Sequence, residues 1–497
     1  MKAFSTLFRL GVACVLLGLA LPLAKAAEVE RPNFIIIFCD DLGYADIGPF
    51  GSENHRTPNL DRMAAEGIKF TDAHSPSTIC SPSRYGLYSG QQVYRTGRGS
   101  SAFEGPGGPS YLKPGELTIA EMVKKQGYRT GVFGKWHVGL TWYDKSGKRL
   151  GGGFKNSLLI DYERSTPLED GPNKRGFDES FVTPNCPTTD PLYIYIENGM
   201  VPVPASERHK RDKVPNPGGK WRWDNDEGWM SPDYRFVDAD LLFYDKTLEF
   251  ITKHRKNTPE KPFFVVFSTQ ISHAPVLPAP EFNGKTKGGP RGDFIHELDV
   301  LTGRLLDAIK RLGIDENTLI MFNSDNGPET VHTDWMRQDH DHDAAGGYRG
   351  MKRDGWEGGH RGPFIARWPD RIPAGKTSNH TIAFADVLAT LADAAGRPKL
   401  PQDAAGDSVS FLPVLLHPDQ KHKPRPPILH GGRVIRAGDW KLINTKGGRG
   451  FGANRKTQYG IELYNLKDDL SEKNNLADKM PEKVESLQAK MRSILEN

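Results

Sequence analysis

The chain has 497 residues, 37% of them apolar, and a formal net charge of +4 from 66 basic and 62 acidic side chains. That is enough apolar material for a sizeable core. The basic residues are spread along the chain, which excludes the footprint of a nucleic-acid-binding protein and of a polybasic membrane patch.

Residues 1–26 read as a secretory signal peptide. Lys2 and Arg9 give a positive start, residues 10–23 are apolar but too short for a comfortable span, and Ala24-Lys25-Ala26 fits a small-x-small cleavage site. An uncleaved anchor and a lipoprotein attached through Cys14 are the alternatives, and Gly11-Val12-Ala13 is a poor lipidation box. No later run has the length of a membrane span, so the mature protein is expected to be periplasmic or secreted, without an integral membrane segment. Removing the signal leaves Cys39, Cys80 and Cys186. At most one disulfide can form among three thiols, so one has another task.

Residues 27–405 are expected to form a catalytic domain. Runs at 33–38, 128–133, 262–268 and 318–323 are continuously β-prone, as in strands buried on both faces of a parallel sheet. Helical patterns at 59–67, 118–126, 236–254 and 297–312 alternate with them. The expected fold is α/β, a large mostly parallel sheet sandwiched by helices. Residues 142–233 are rich in Gly, Pro and Trp, and read as a loop-rich insertion. Residues 406–497 read as a smaller α+β domain, with antiparallel strands at 427–430, 434–443 and 461–466 and a helix at 481–495.

Chemistry gathers just past the predicted strands. The first ends in Cys39-Asp40-Asp41, the second in Gly134-Lys135-Trp136-His137. The third leads to Ser272-His273 and the fourth to Ser324-Asp325-Asn326-Gly327. Open parallel sheets bind ligands beyond the carboxyl ends of their strands. Each acidic pair alone suits an ordinary turn. Together at strand ends, Asp40, Asp41, Asp325 and Asn326 form an oxygen set that favours Ca²⁺ or Mg²⁺ over zinc. In Cys80-Ser81-Pro82-Ser83-Arg84, Pro82 and the preceding Ser77-Thr78 suit a helix start, and Arg84 shares a helical face with Cys80. Both features favour negative charge at position 80. On the thiol alone, a buried structural cysteine or a disulfide with Cys186 or Cys39 is the simpler reading.

The Cys80–Arg84 segment, followed by Leu87-Tyr88-Ser89-Gly90, resembles the signature of the type I (formylglycine-dependent) sulfatases of the alkaline phosphatase-like superfamily. Gly127-Tyr128-Arg129-Thr130 with Gly134-Lys135-Trp136-His137 is similar to that family's second signature. Asp40-Asp41, His273, Asp325-Asn326, and Lys352 before Trp356-Glu357-Gly358-Gly359 fall in its order. Trp440-Lys441-Leu442 and Leu463-Tyr464-Asn465-Leu466 resemble its closing domain. Five motifs in sequence order are specific where one is not. Ser89 in place of Thr, and Phe133 in place of a smaller residue, depart from the pattern without removing a reacting group.

The resemblance implies that a separate formylglycine-generating enzyme oxidises Cys80, and that the hydrated aldehyde attacks sulfur and later releases sulfate. It implies a cation on Asp40, Asp41, Asp325 and Asn326, completed by position 80. It assigns Arg84 to fixing the nucleophile, Lys135 and Lys352 to the sulfate oxygens, His273 to the leaving oxygen as acid, and His137 to sulfate release as base. For the substrate the expectation is a sulfated glycan attacked at an end. Trp223, with Trp221 and Trp229, offers rings for stacking, and His340, in the loop 332–349, offers a polar contact. Gly176-Phe177-Asp178-Glu179 and the segment 193–198 resemble sulfatases acting on galactose or N-acetylgalactosamine sulfates. His332, His340 and His342 with Asp339, Asp341 and Asp343 read as a polar loop, with a second metal cluster as the alternative. Two other readings are a phosphate mono- or diester hydrolase of the same superfamily and a silent protein that binds sulfated glycans.

Overall fold

The computed structural model describes residues 31–98, 102–103, 105–210, 220, 227–396, 400, 404–444 and 460–496. Among the described residues the main sheet has nine strands: β1 (Asn33–Cys39), β2 (Ile68–Phe70), β3 (Arg129–Lys135), β4 (Glu179–Thr183), β5 (Ile196–Glu197), β6 (Phe263–Ser268), β7 (Thr318–Ser324), β8 (Phe364–Arg367) and β9 (Lys376–Ser378). Their order is β9-β2-β8-β7-β1-β6-β3-β4-β5. The five strands β7-β1-β6-β3-β4 all run parallel, and β8 joins β7 antiparallel. Five carboxyl ends therefore open on one edge.

Strand β1 explains the sandwich. Phe34, Ile36 and Phe38 point to one face, where α2 (Cys80–Ser89), α3 (Ile119–Lys124) and α7 (Asp386–Ala394) pack. Ile35, Ile37 and Cys39 point to the other, against α1 (Pro58–Ala65), α4 (Ala239–Asn257) and α5 (Gly289–Arg311). A strand in the middle of a two-sided sheet has no polar face, hence its unbroken apolar run. Helix α6 (Thr330–His340) follows β7.

The small sheet is antiparallel, β10 (Ile428–His430), β11 (Val434–Ala437), β12 (Trp440–Asn444) and β13 (Ile461–Asn465). One face packs on α8 (Pro481–Glu496) through Leu442, Leu463, Val484 and Leu487. Its other face packs on Trp356 through Val434, Ile443 and Tyr464. The sheet thereby buttresses the loop that carries Lys352. Trp356 Nε1 donates to Glu462 at 2.8 Å, and Arg349 donates to the Tyr464 hydroxyl at 2.8 Å.

Two details differ from the sequence reading. The stretch 434–443 is two strands, because Gly438, at φ +59°, turns the chain between them. The expected insertion, residues 142–233, supplies β4 and β5 of the main sheet as well as short strands at Leu192–Tyr193, Glu207–His209 and Gly228–Met230. Arg31–Asn497 forms one compact unit that includes the main sheet and the small antiparallel sheet. No helix of the described residues is long and apolar enough to cross a membrane.

Candidate active site

Each parallel strand delivers polar residues at its carboxyl end or within five residues after it. Asp40 and Asp41 follow β1, and Asp325 and Asn326 follow β7. Lys135 ends β3, with His137 two residues on. Cys186 follows β4, and His273 lies in the loop after β6. The chains approach closely there. A Cβ at Gly134, which sits at φ +117°, would lie 1.8 Å from the Ser268 carbonyl oxygen, and one at Gly327 would lie 1.9 Å from that of Gly358. Only glycine fits at either position.

Cys80 is the first residue of α2, preceded by Ile79 in an extended conformation. One turn later Arg84, fully buried, organises the floor. Its Nε donates to Asp325 Oδ2 at 3.0 Å, and its Nη1 donates to Ser268 Oγ at 2.7 Å and to the Lys135 carbonyl at 3.2 Å. Lys135 Nζ donates to Asp40 and contacts Cys186 Sγ at 2.8 Å. Lys352 Nζ donates to Asp41 Oδ2 at 2.8 Å and lies 3.8 Å from Glu329. Three buried carboxylates, Asp40, Asp41 and Asp325, thus face three buried cations, Arg84, Lys135 and Lys352, while the buried Glu329 beside Lys352 is matched by Arg353 at 2.8 Å. Such a set persists in a core only because every charge has an opposite neighbour.

Burial alone would raise Asp40 and Asp41. Lys135, His273 and Arg84 hold Asp40 below the usual carboxylate range, and Lys352 with His273 does the same for Asp41. Asp325 goes the other way, pushed up by burial and by Asp40 against the pull of Arg84. The Cys80 thiol is pulled down by its hydrogen bond with Cys186, against burial, with Lys135 and His137 adding to the pull.

The two histidines have defined orientations. His137 Nε2 lies 2.8 Å from the Phe103 carbonyl, so Nε2 carries the hydrogen and Nδ1 faces the sulfurs, 3.8 Å from Cys186. His273 Nδ1 lies 2.6 Å from the Ala274 carbonyl, which leaves Nε2 toward Asp41 at 3.6 Å and Cys186 at 3.7 Å.

A cation fits these residues. Asp40 Oδ1 and Asn326 Oδ1 are buried without a hydrogen-bond partner. Asn326 Nδ2 donates to Asp41 Oδ1 at 2.6 Å, which turns its carbonyl oxygen the other way. Ligand atoms of Asp40, Cys80 and Asp325 lie within 4.8 Å of one another. A divalent ion would relieve the crowding of Asp40 and Asp325, and an oxygen donor set suits a hard one.

Cys80, Arg84, Lys135, His137, His273, Lys352, Asp40, Asp41, Asp325 and Asn326 therefore form one connected cluster. His340 stands outside it, with its ring against Gly289 at the start of α5. Trp223 and Trp221 lie outside the described residues. The histidines and acids of 332–343 disperse rather than form one cluster. His342 is buried 3.0 Å from Asp46 Oδ1, Asp343 pairs with Arg337 at 2.8 Å, and Asp339 pairs with Lys220. Two contributors escaped the sequence reading. Cys186 stands among Lys135, His137 and His273. Arg291, fully buried in α5, holds Asp46 at 2.5 Å and donates to the carbonyls of Asp41 and Ser272 at 3.3 and 3.2 Å, tying two site loops together.

A sulfatase family profile matches residues 32–397. The N-acetylgalactosamine-6-O-sulfatase of Bacteroides thetaiotaomicron is 32% identical over 94% of this chain and 93% of its own length. Arylsulfatase A of Bos taurus is 34% identical over 79% of this chain and 69% of its own. A solved sulfatase structure from the metabolism of multiple glycosaminoglycans by Bacteroides thetaiotaomicron superposes with a TM-score of 0.78 at 30% identity, covering 94% of this chain and all of that one. With its fold, its site and these relatives in agreement, the chain belongs to the type I sulfatase family and is a sulfuric ester hydrolase.

Proposed function

We propose that this enzyme is exported and removes sulfate from a sulfated glycan, with Cys80 as the precursor of a formylglycine nucleophile and a Ca²⁺ ion on Asp40, Asp41, Asp325 and Asn326. Mg²⁺ is the other hard cation that such a donor set suits. The observation that carries this reading is the parity of three buried cations with three buried carboxylates around Cys80. The formylglycine hydrate would supply an oxygen nucleophile, and the cation would stabilise charge on the sulfate oxygens.

The chain's own side chains do the rest. Arg84 fixes the floor under position 80. Lys135 and Lys352, each shared with a carboxylate, turn an N–H toward the sulfate oxygens. His273 gives the proton on Nε2 to the leaving alcohol oxygen, its Nδ1–H being committed to Ala274. His137 accepts a proton at Nδ1 when sulfate departs, its Nε2–H being committed to Phe103.

A galactose or N-acetylgalactosamine sulfate is the favoured substrate. The relatives named as N-acetylgalactosamine-6-sulfatases support it. Lys220, beside the Trp-rich segment, pairs with Asp339 of α6, which supports the two expected substrate loops meeting. Trp223→Ala and His340→Ala are then expected to raise KM for a sulfated oligosaccharide and spare an aryl sulfate. Peptide mass spectrometry around Cys80, with turnover of a sulfated-sugar panel beside an aryl sulfate, tests the proposal. The formylglycine mass deficit and loss of turnover in Cys80→Ala are expected. Full activity of Cys80→Ala would overturn the mechanism, and aryl turnover with no sugar sulfate cleaved would overturn the glycan assignment.

A further inference from the structure

We propose that Glu329 is a positioning residue of the sulfate site: its carboxylate holds the Lys352 ammonium in place by charge and leaves the remaining N–H groups of that ammonium for the sulfate oxygens. This rests on the reading that Lys352 grips the sulfate. Glu329 follows Asp325-Asn326 after Gly327-Pro328. It is buried, at 2% exposure. Its carboxylate is divided between two consecutive cations. Oε1 accepts from Arg353 Nη1 at 2.8 Å and from the Thr330 amide at 2.9 Å, whereas Oε2 lies 3.8 Å from Lys352 Nζ.

The contact with Lys352 is the informative one. At 3.8 Å it is too long for a hydrogen bond and close enough for an ion pair. A lysine ammonium carries three N–H donors on a flexible stem. One goes to Asp41 Oδ2 at 2.8 Å. That bond alone leaves the head free to turn about it. Glu329 adds an attraction from a second element and takes no donor in doing so. The carboxylate is itself fixed, because it accepts from the first amide of α6 and is held by Arg353. Burial raises the Glu329 carboxyl, but Lys352 and Arg353 outweigh it and hold it down at about 2, so it is ionised at neutral pH. The loop is anchored on both sides. The Lys352 amide donates to the Pro328 carbonyl at 3.0 Å, and the Arg353 amide donates to the Thr78 carbonyl at 2.9 Å, in the segment that leads to Cys80. Arg353 takes φ +76°, a conformation uncommon outside glycine and one that clusters at functional sites. Glu329→Gln keeps the shape and an acceptor for Arg353 and Thr330, but it removes the charge and turns an amide NH₂ toward the ammonium.

The test is a double-mutant cycle on the full chain, matured in a competent host. The parent, Glu329→Gln, Lys352→Ala and the double variant are compared by kcat/KM for an aryl sulfate and by the dissociation constant of inorganic sulfate from calorimetry. Glu329→Gln is expected to lose on the order of 10- to 100-fold in kcat/KM, the cost of displacing a reacting group by up to about 1 Å. Binding of inorganic sulfate, which needs Lys352 but no chemistry, is expected to weaken as well. In the Lys352→Ala background the same change is expected to cost nothing further. Glu329→Asp, which keeps the charge, is expected to recover part of the loss. Urea midpoints verify that the variants compared are folded, and Glu329→Ala takes the place of Glu329→Gln in the cycle if the latter does not fold. A parent-like Glu329→Gln, losses that multiply in the double variant, or a Glu329→Asp no better than Glu329→Gln overturns the proposal. A parent-like Lys352→Ala overturns the underlying reading instead.

Discussion

Arg84→Lys keeps the charge on α2 but removes the fork. The guanidinium divides its donors between two sides. Nε and Nη2 hold Asp325 at 3.0 and 2.9 Å, while Nη1 holds Ser268 Oγ at 2.7 Å and the Lys135 carbonyl at 3.2 Å. A lysine ammonium is a point donor on a flexible stem and cannot span both sides. If it keeps Asp325, it abandons Ser268 and Lys135. Ser268 still donates to the Lys135 carbonyl at 2.7 Å, so that oxygen stays satisfied. Both lost bonds come from the charged guanidinium; the shorter, to Ser268, is worth about 1.5–3 kcal/mol, and the longer, to a carbonyl that retains a partner, about 0.5–1.5 kcal/mol, or roughly 2–4.5 kcal/mol together. That is a large share of a typical stability of about 5–15 kcal/mol. It is read as a lower urea midpoint at unchanged slope. The same loss leaves position 84 without its hold on Ser268 and lets Asp325 and the floor under position 80 shift, and misplacing a reacting group by about 1 Å costs on the order of 100-fold in rate. Turnover of an aryl sulfate by the variant is therefore expected to fall by about that factor. A parent-like midpoint together with a parent-like kcat/KM would refute the account of Arg84.

His273→Ala is expected to slow esters of poor leaving groups more than nitrophenyl sulfate, because only the former need a proton on the departing oxygen; equal losses would mean that His273 orients rather than protonates. Asp240, buried under the loop that carries His273 and accepting the Gln270 amide at 2.9 Å, is pushed up to about 7 by that burial. Its folded value lies above its unfolded one, so its contribution is full below pH about 4 and is lost as pH rises through about 7, on the order of 4 kcal/mol in all. Asp240→Asn is expected to flatten the decline of melting temperature between those limits, and parallel curves for parent and variant would count against a protonated Asp240.

The strands were legible because β1, β6 and β7 are buried on both faces, which leaves no polar residue to interrupt the apolar run. The site was legible for the related reason that a parallel sheet's polar residues can begin only where the strand ends. Cys80 and Arg84 were legible as a pair through helical spacing alone. β4 was not. Its sequence, Glu179-Ser180-Phe181-Val182-Thr183, is short and mixed, and it becomes a strand by pairing with β3, a long-range contact that no local pattern records. Cys186 was visible only as a possible disulfide partner of Cys80; its place beside Lys135, His137 and His273 was hidden for the same cause, since the loop it occupies is fixed by β4 and by Asp190. Arg291 was missed because the start of α5 was placed at residue 297. The available signal was Pro290, a residue suited to the first turn of a helix, which here opens α5 at Gly289 and brings Arg291 to Asp46.

The parity of charge in the site also constrains how it recognises its substrate. Three carboxylates against three cations, with Glu329 matched by Arg353, leave no net attraction for an anion when all are ionised. A divalent cation on Asp40, Asp41, Asp325 and Asn326 would change that, giving a site of charge +2 into which a sulfate monoester brings −1. The metal site and the sulfate site would then be one site, and removing the ion would weaken binding as well as turnover. Two unit charges about 4 Å apart interact by about 4 kcal/mol at an effective dielectric of 20, so one further negative charge on a ligand is easily measured. The phosphate ester of the same alcohol supplies it, being a monoanion below its second pKa of about 6 and a dianion above it. Its inhibition is therefore expected to tighten by about tenfold or more between pH 5 and 7.5, relative to a sulfonate analogue that stays monoanionic. After exhaustive chelation, verified by elemental analysis, both inhibitors and the activity are expected to be lost, and Ca²⁺ to restore them better than Zn²⁺. Inhibition that ignores the second ionisation, or activity that survives a verified loss of metal, would show that the charge of a bound ion is not what makes this pocket an anion site.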